Sequence, residues 1–348
     1  MGEISREGPG TLRNSIEQGG WFERKMMLYL SEMELKFLLR EIPMTRMIRR
    51  STLILPVNIP RFVEKAYQRG ADAILLDLED AVPWAEKENA RKLVRDSIPL
   101  AARGGAEVGV RINKDPKWLP LDVEASVYPG LDGITLPKTE SAEEVRNLEA
   151  LVEKMEKQRG IKPGHIQFSI LIETPRGVLK AQEIATASPR IESMSIGPED
   201  YCLELGVEPS ADGSEIFYPV SWIVTVCKPV GVRPMGMLGS IGGFRDLEAF
   251  EKAVSRARQL GCEGAACIHP DQVAVINRAY TPPEDKVAFA RRAVEVFEEG
   301  VRKGTASVNL DGKMVDIPVY NRAKLILARA EAVAAVEKRK AEALAKIK

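Results

Sequence analysis

The chain is poor in the residues that build nitrogen and sulfur metal sites. It has two histidines, His165 and His269, and four cysteines, Cys202, Cys227, Cys262 and Cys267, in 348 residues. The cysteines show no paired ligand spacing, which argues against a zinc cage and fits a reduced, cytoplasmic compartment. No apolar run is long enough to span a bilayer. The amino terminus, Met-Gly-Glu-Ile-Ser-Arg, lacks the apolar core of a signal peptide, and Ser5 stands one place early for the usual myristoylation pattern. A soluble protein is expected. Net charge is missing too: 50 basic residues face 50 acidic ones, so no overall field favours nucleic acid or a membrane surface. An anionic ligand must therefore be met by local groups.

What the chain does have is alternation. Thr52 to Pro56, Ala73 to Leu76, Val108 to Val110, Gly133 to Leu136, Ile166 to Ile172, Met194 to Ile196, Arg233 to Met237 and Ala265 to Ile268 read as strands. Helical patterns fall between them, at Pro60 to Arg69, Ala85 to Ser97, Ala142 to Gln158, Phe217 to Cys227 and Leu247 to Leu260. Eight strands with intervening helices imply parallel βαβ units and a TIM (β/α)8 barrel within an α/β fold. An open doubly wound sheet would ordinarily carry a glycine-rich fingerprint after its first strand, and none is present. Three parts are expected: residues 1–45, with an amphipathic helix over Trp21 to Arg40; a barrel over 46–280; and a carboxyl-terminal helix, hairpin and helix over 281–348. The hairpin is read around Asp311-Gly312 and the last helix over Asn321 to Lys346.

Charge collects at one place in this pattern. Asp77, Glu79, Asp80, Arg111, Lys138, Glu173, Asp200 and His269 all fall just past the ends of candidate strands. In a barrel those positions converge on the mouth that carries the active site. Glu173 and Asp200 each follow a short apolar run, and from neighbouring strands they would share a hard cation such as Mg²⁺. The competing reading has Glu173 capping the next helix and Asp200 in a solvated turn. A 2-oxo acid would complete the ion's octahedron, and its polarised keto carbon would become electrophilic. Arg111 is placed to stabilise a developing enolate oxygen. Asp77, Glu79 and Asp80 would stand behind the metal, holding its waters or orienting Arg111, with helix capping as the alternative for Asp80. His269, between a buried strand and Pro270, reads as a structural histidine. Together these groups suit carbon–carbon cleavage or formation of the aldol or Claisen type.

Taken in order, Asp-Leu-Glu-Asp-Ala-Val with Glu86-Lys87 and Ala90-Arg91, Val-Arg-Ile-Asn, Leu-Pro-Lys, Ile-Glu-Thr-Pro-Arg-Gly, Gly-Pro-Glu-Asp and Cys-Ile-His-Pro-Asp-Gln resemble the CitE-like branch of the HpcH/HpaI aldolase superfamily. That branch includes the citrate lyase β subunit and the malyl-CoA and citramalyl-CoA lyases, and the resemblance covers Arg49 to Ala335. It implies a Mg²⁺-dependent barrel, with Mn²⁺ an alternative ion, assembled as homotrimers or homohexamers and acting on 3-hydroxyacyl thioesters. By the resemblance Glu173 and Asp200 are the metal ligands, Arg111 the substrate arginine, and Glu79 and Asp80 the acids behind them. Asp316, in Gly-Lys-Met-Val-Asp-Ile-Pro-Val, matches the acid/base aspartate that the family supplies from a carboxyl-terminal lid, usually to a neighbouring subunit's site.

The expected activity is reversible cleavage of malyl-CoA, methylmalyl-CoA or citramalyl-CoA to acetyl-CoA or propionyl-CoA and glyoxylate or pyruvate. Lys138 and the arginines near the first strand, Arg49, Arg50 and Arg61, are the candidates for substrate and CoA phosphates; the alternative is the loop containing Gly239, Gly242 and Gly243. The chain departs from the family pattern in Met235-Gly-Met-Leu-Gly-Ser, where an acid is usual, and at Ala265-Ala266, where Gly-Lys is frequent. Two other readings stay open: a citrate lyase β subunit acting on a carrier-bound citryl thioester, and a non-catalytic ligand-binding or assembly protein.

Overall fold

The computed structural model describes residues 48–240 and 242–347. The helix expected over Trp21 to Arg40 lies outside the described residues. These form two compact units, residues 48–281 with 334–347, and residues 282–333.

The first unit is a barrel of eight parallel strands: β1 (Ser51–Pro56), β2 (Ala73–Asp77), β3 (Glu107–Arg111), β4 (Gly133–Leu136), β5 (Gln167–Ile172), β6 (Ile191–Ile196), β7 (Arg233–Met235) and β8 (Ala265–Cys267). Hydrogen-bonded neighbours run β7-β6-β5-β4-β3-β2-β1-β8. Two backbone bonds complete the circle between β7 and β8, Gly236 N–H to Gly264 C=O and Glu263 N–H to Pro234 C=O, each 2.9 Å. Gly264 has to be glycine here, since a Cβ would lie 2.3 Å from the Arg49 carbonyl oxygen. Strand interiors are apolar because both faces are covered, by helices outside and by opposing side chains within. Leu53, Leu76, Val110, Leu136, Phe168 and Ile172 are fully buried.

Outside the strands run α1 (Pro60–Glu64), α2 (Lys87–Ala102), α3 (Leu119–Ser126), α4 (Ala142–Gln158), α5 (Pro175–Ala185), α6 (Pro198–Leu205), α7 (Ser214–Val230), α8 (Leu247–Leu260) and α9 (Pro270–Tyr280). The expected helix Pro60 to Arg69 is shorter, α1 followed by a 3₁₀ turn over Ala66–Gln68. The long connection after Asp200 holds two helices, the first closed by Gly206 in the left-handed region. No helix among the described residues is long and apolar enough to cross a membrane.

The second unit contains α10 (Glu284–Arg302) and the hairpin of β9 (Val308–Leu310) and β10 (Lys313–Val315), which turns at Asp311-Gly312. The helix that follows, α11 (Ile317–Ala345), starts there. Ala290, Ala293, Phe297, Leu310, Val315 and Tyr320 form its core, with the Phe297 and Tyr320 rings stacked 4.7 Å apart.

Candidate active site at the carboxyl ends of the strands

Strand register sets the first contact. Asp77 ends β2 and pairs in register with Arg111 at the end of β3. A parallel ladder thus brings a carboxylate and a guanidinium to the same height at the mouth. Asp77 is fully buried and takes Arg111 in a two-pronged pair, Nε to Oδ1 at 2.7 Å and Nη2 to Oδ2 at 2.6 Å. Its oxygens also accept from the backbone N–H groups of Glu79 and Ala81, each at 3.0 Å, so one side chain fixes both the arginine and the loop after β2. The third prong, Arg111 Nη1, lies 3.0 Å from Glu79 Oε2 and 3.5 Å from Asp80 Oδ2. Burial works against the arginine's charge, but Asp77, Glu79 and Asp80 more than offset it.

Lys138 follows β4 with φ +49°, in the left-handed region. This turns its backbone N–H onto Glu173 Oε2 at 2.8 Å. Its ammonium lies 2.8 Å from Glu79 Oε1, 3.4 Å from Asp80 Oδ1 and 3.7 Å from Asp200 Oδ2. Burial depresses its pKa, but the hydrogen bond to Glu79 and the charges of Glu79, Asp80 and Asp200 together raise it by more.

Glu173 follows β5 and is 3 % exposed. It does not cap the next helix. Thr174 does, its hydroxyl accepting from Gly177 N–H at 3.1 Å. Burial above all pushes the Glu173 carboxyl up to about 8; the Lys138 N–H opposes the rise, and the charges of Glu79 and Asp200 add to it. Asp200 sits in the first turn of α6 rather than in a solvated turn, where the helix dipole favours its charge. Gly197, just before α6, lets that segment close on the acid: a Cβ there would lie 2.5 Å from Glu173 Oε1.

Five carboxylates therefore surround three cations. Asp77, Glu79, Asp80, Glu173 and Asp200 face Arg111, Lys138 and the buried Lys87, whose ammonium donates to the Leu78 carbonyl at 2.7 Å and the Glu79 carbonyl at 2.5 Å. Two more carboxyl groups than cations, one of them the Glu173 carboxyl that burial disfavours as an anion, suit a divalent ion. Among the described residues no cluster of three or more His, Cys, Asp or Glu is arranged to hold a metal. Two carboxylates with the remaining positions left to water or ligand is the donor set that suits Mg²⁺, which keeps several waters.

Comparison with known proteins bears on the chemistry. The HpcH/HpaI aldolase/citrate lyase family model matches residues 50–270. The chain belongs to that family. Escherichia coli citrate lyase subunit beta is 36 % identical over 284 residues, covering 81 % of this chain and 93 % of that protein. The L-malyl-CoA/beta-methylmalyl-CoA lyase of Cereibacter sphaeroides is 33 % identical over 308 residues, covering 82 % and 96 %. A crystal structure of CitE from Mycobacterium tuberculosis in complex with magnesium, acetoacetate and coenzyme A matches with TM-score 0.64 and 29 % identity, covering 82 % of this chain and 98 % of that one. The protein is a lyase of this family, and its fold is the expected TIM barrel.

The lyase brings Glu79, Asp80, Arg111, Lys138, Glu173 and Asp200 together. It does not bring Arg49 and Arg50 to them, which corrects the expectation that these arginines meet CoA phosphates. Both precede β1, at the amino ends of the strands, and both are already paired. Arg49 is held by Glu107 at 2.7 Å and by Glu192 inside the barrel. Arg50, 3 % exposed, is held by Asp72 at 2.8 Å and by Glu337. Arg61 is exposed in α1, at the mouth end of β1, with its guanidinium 5.1 Å from the Phe62 ring. His269 is structural: its Nδ1 accepts from Asp271 N–H at 3.3 Å at the start of α9, and its ring stacks 5.1 Å from Phe244. Asp316 lies in the other unit, where its Oδ1 accepts from Val319 N–H at 3.2 Å and caps α11.

Three supporting groups had been given no role from sequence. Lys87 holds the loop after β2 from below. Asn113 donates to the Leu78 carbonyl at 2.8 Å and to Asp122 at 2.7 Å. Gly197 makes room for Glu173. Lys87, Asn113 and Gly197 all fall inside the motifs quoted above, the one legible signal for them.

Proposed function

We propose that the protein is a Mg²⁺-dependent acyl-CoA lyase that reversibly cleaves a 3-hydroxyacyl-CoA, such as malyl-CoA, methylmalyl-CoA or citramalyl-CoA, to acetyl-CoA or propionyl-CoA and glyoxylate or pyruvate. The observation that carries this reading is the buried Glu173 beside Asp200, in a cluster with two more carboxylates than cations. Glu173 and Asp200 would hold the ion. When bound, it supplies Lewis-acid polarisation of the 2-oxo acid carbonyl.

Arg111 serves the thioester half. Asp77 takes two of its five N–H groups and Asp80 a third at 3.5 Å, leaving two to hydrogen-bond an enolate oxygen. Glu79 and Asp80 keep that guanidinium oriented. Asp316 is the proton-transfer group, carried by a lid drawn from residues 282–333 and closing over a neighbouring subunit's site in a homotrimer or homohexamer. Arg61 is the remaining arginine for CoA phosphates. The relatives named above include both CoA-dependent and citrate lyase proteins, so the carrier-bound citryl thioester is the second reading.

The test is a panel of hydroxyacyl-CoA esters assayed with Mg²⁺ for release of acetyl-CoA or propionyl-CoA. Glu173→Ala and Asp200→Ala should abolish turnover while the far-ultraviolet circular dichroism stays that of the parent. Undiminished turnover in the chelated wild type, or in either variant, overturns the mechanism. Activity confined to an acyl carrier protein thioester favours the second reading.

A further inference from the structure

Lys138 occupies a backbone conformation that a lysine adopts only at a cost. Its φ of +49° lies where glycine and asparagine are at home and a long side chain is not. The conformation is pinned from three sides. Its N–H donates to Glu173 Oε2 at 2.8 Å, its carbonyl accepts from Lys114 Nζ at 2.5 Å, and the next residue, Thr139, donates its N–H to the Leu171 carbonyl at 3.1 Å. A glycine or asparagine would meet all three constraints without strain. What only the lysine adds is an ammonium on an aliphatic stem, and that group goes to Glu79, Asp80 and Asp200 at 2.8, 3.4 and 3.7 Å. An observed strained residue at a charged site points to a role for its side chain.

The location of the charge indicates the role. Through its backbone Lys138 holds one proposed metal ligand, Glu173, and through its side chain it approaches the other, Asp200. A single positive charge thus stands in the cluster where the surplus of negative charge calls for a divalent one. We propose that Lys138 is a built-in counter-cation: its ammonium partly offsets the charge of the Glu79, Asp80 and Asp200 cluster while no metal is bound, and a divalent ion must displace it from Asp200 to bind. This inference rests on the reading of Glu173 and Asp200 as metal ligands. It assigns Lys138 a positioning role that limits metal affinity and prevents the acids from repelling one another in the empty site.

The experiment separates the side chain from the backbone. Lys138→Asn and Lys138→Gly keep the left-handed turn and the N–H to Glu173 but remove the ammonium; Lys138→Arg keeps the charge. Mn²⁺ binding to the metal-free full-length protein is measured by titration calorimetry and by the electron paramagnetic resonance signal of free Mn²⁺. Removing a unit charge a few ångströms from a divalent ion should tighten binding about tenfold or more in the Asn and Gly variants. The Arg variant should stay within about twofold of the wild type.

Melting in a chelator gives a readout that does not depend on metal. There Lys138→Asn should melt below the wild type, the lost ammonium outweighing the relieved left-handed strain, and in chelator-free buffer Mn²⁺ should raise its midpoint by more. Folded Asn and Gly variants that bind Mn²⁺ no more tightly than the wild type overturn the counter-cation but leave the proposed lyase standing. No Mn²⁺ binding in any of the proteins overturns both.

Discussion

Gly197→Ala tests the site without removing a functional group. The backbone at Gly197, φ −91° and ψ 103°, is open to alanine, so the added methyl meets no local strain. It meets Glu173 instead. An ideal Cβ would lie 2.5 Å from Oε1, 2.6 Å from Cγ and 2.9 Å from Cδ. Ordinary contact lies at about 3.5–4.0 Å, so the carboxylate has to retreat by about 1 Å.

That retreat has a small effect on stability and a large one on chemistry. Glu173 is almost wholly buried, and overpacking of this kind costs about 1–3 kcal/mol. The same displacement pulls Oε2 from the Lys138 N–H and moves a proposed metal ligand, for which about a hundredfold loss of kcat/KM is expected. The assay pairs steady-state cleavage of the best hydroxyacyl-CoA ester with melting by circular dichroism. Lys252→Ala is the control, an exposed residue of α8 that pairs, among the described residues, with Glu248 alone. A folded Gly197→Ala enzyme with kcat/KM within about twofold of the wild type would refute the placement of Glu173 at the reacting centre.

Other expectations follow from the same contacts. Arg111→Lys keeps the charge but loses the two-pronged hold of Asp77, and should lower kcat by about 10²–10³ with little change in KM. At the amino ends of the strands, burial disfavours the Asp72 carboxylate, yet Arg50 and Lys340 hold it below its ordinary range. Asp72→Ala should therefore cost about 3 kcal/mol in chemical denaturation and leave the residual folded enzyme active, because it leaves two buried cations far from the mouth with only the half-exposed Glu337 as their acid.

The thiols give a pH dependence. Burial pushes Cys227, Cys262 and Cys267 from 9.0 up to about 12. The unfolded chain then releases these protons first, so their contribution to stability is complete below pH 9 and declines between 9 and about 12. Melting midpoints should fall across that window, and alkylation in native buffer should be slow until the protein unfolds. Rapid labelling of all four cysteines in the folded state would contradict their burial.

Several differences from sequence expectation have plain physical causes. The helix expected over Ala85 to Ser97 runs on to Ala102 as α2, with Pro99 inside it. Tertiary packing there outweighs the donor that proline lacks. The short α3 went unread because Pro116 and Pro120 break its pattern. Arg49 and Arg50 were matched to phosphate because they adjoin the first strand, although residues before and after a strand emerge at opposite ends of a barrel. Their partners are also remote in sequence: Glu107 is 58 positions from Arg49, and Glu337 is 287 from Arg50.

By itself the sequence determined the number and order of the barrel strands, and it placed acids and bases just beyond their carboxyl ends. Both are local properties, carried by apolar runs and by the residue that follows each. Only the tertiary structure decided which charges meet. Register set Asp77 against Arg111, a left-handed backbone turned Lys138 toward Glu173, Glu79 and Asp200, and the first turn of α6 carried Asp200 to the mouth. Pairing energies depend on distances between strands far apart in the chain, and those distances exist only once the barrel has closed.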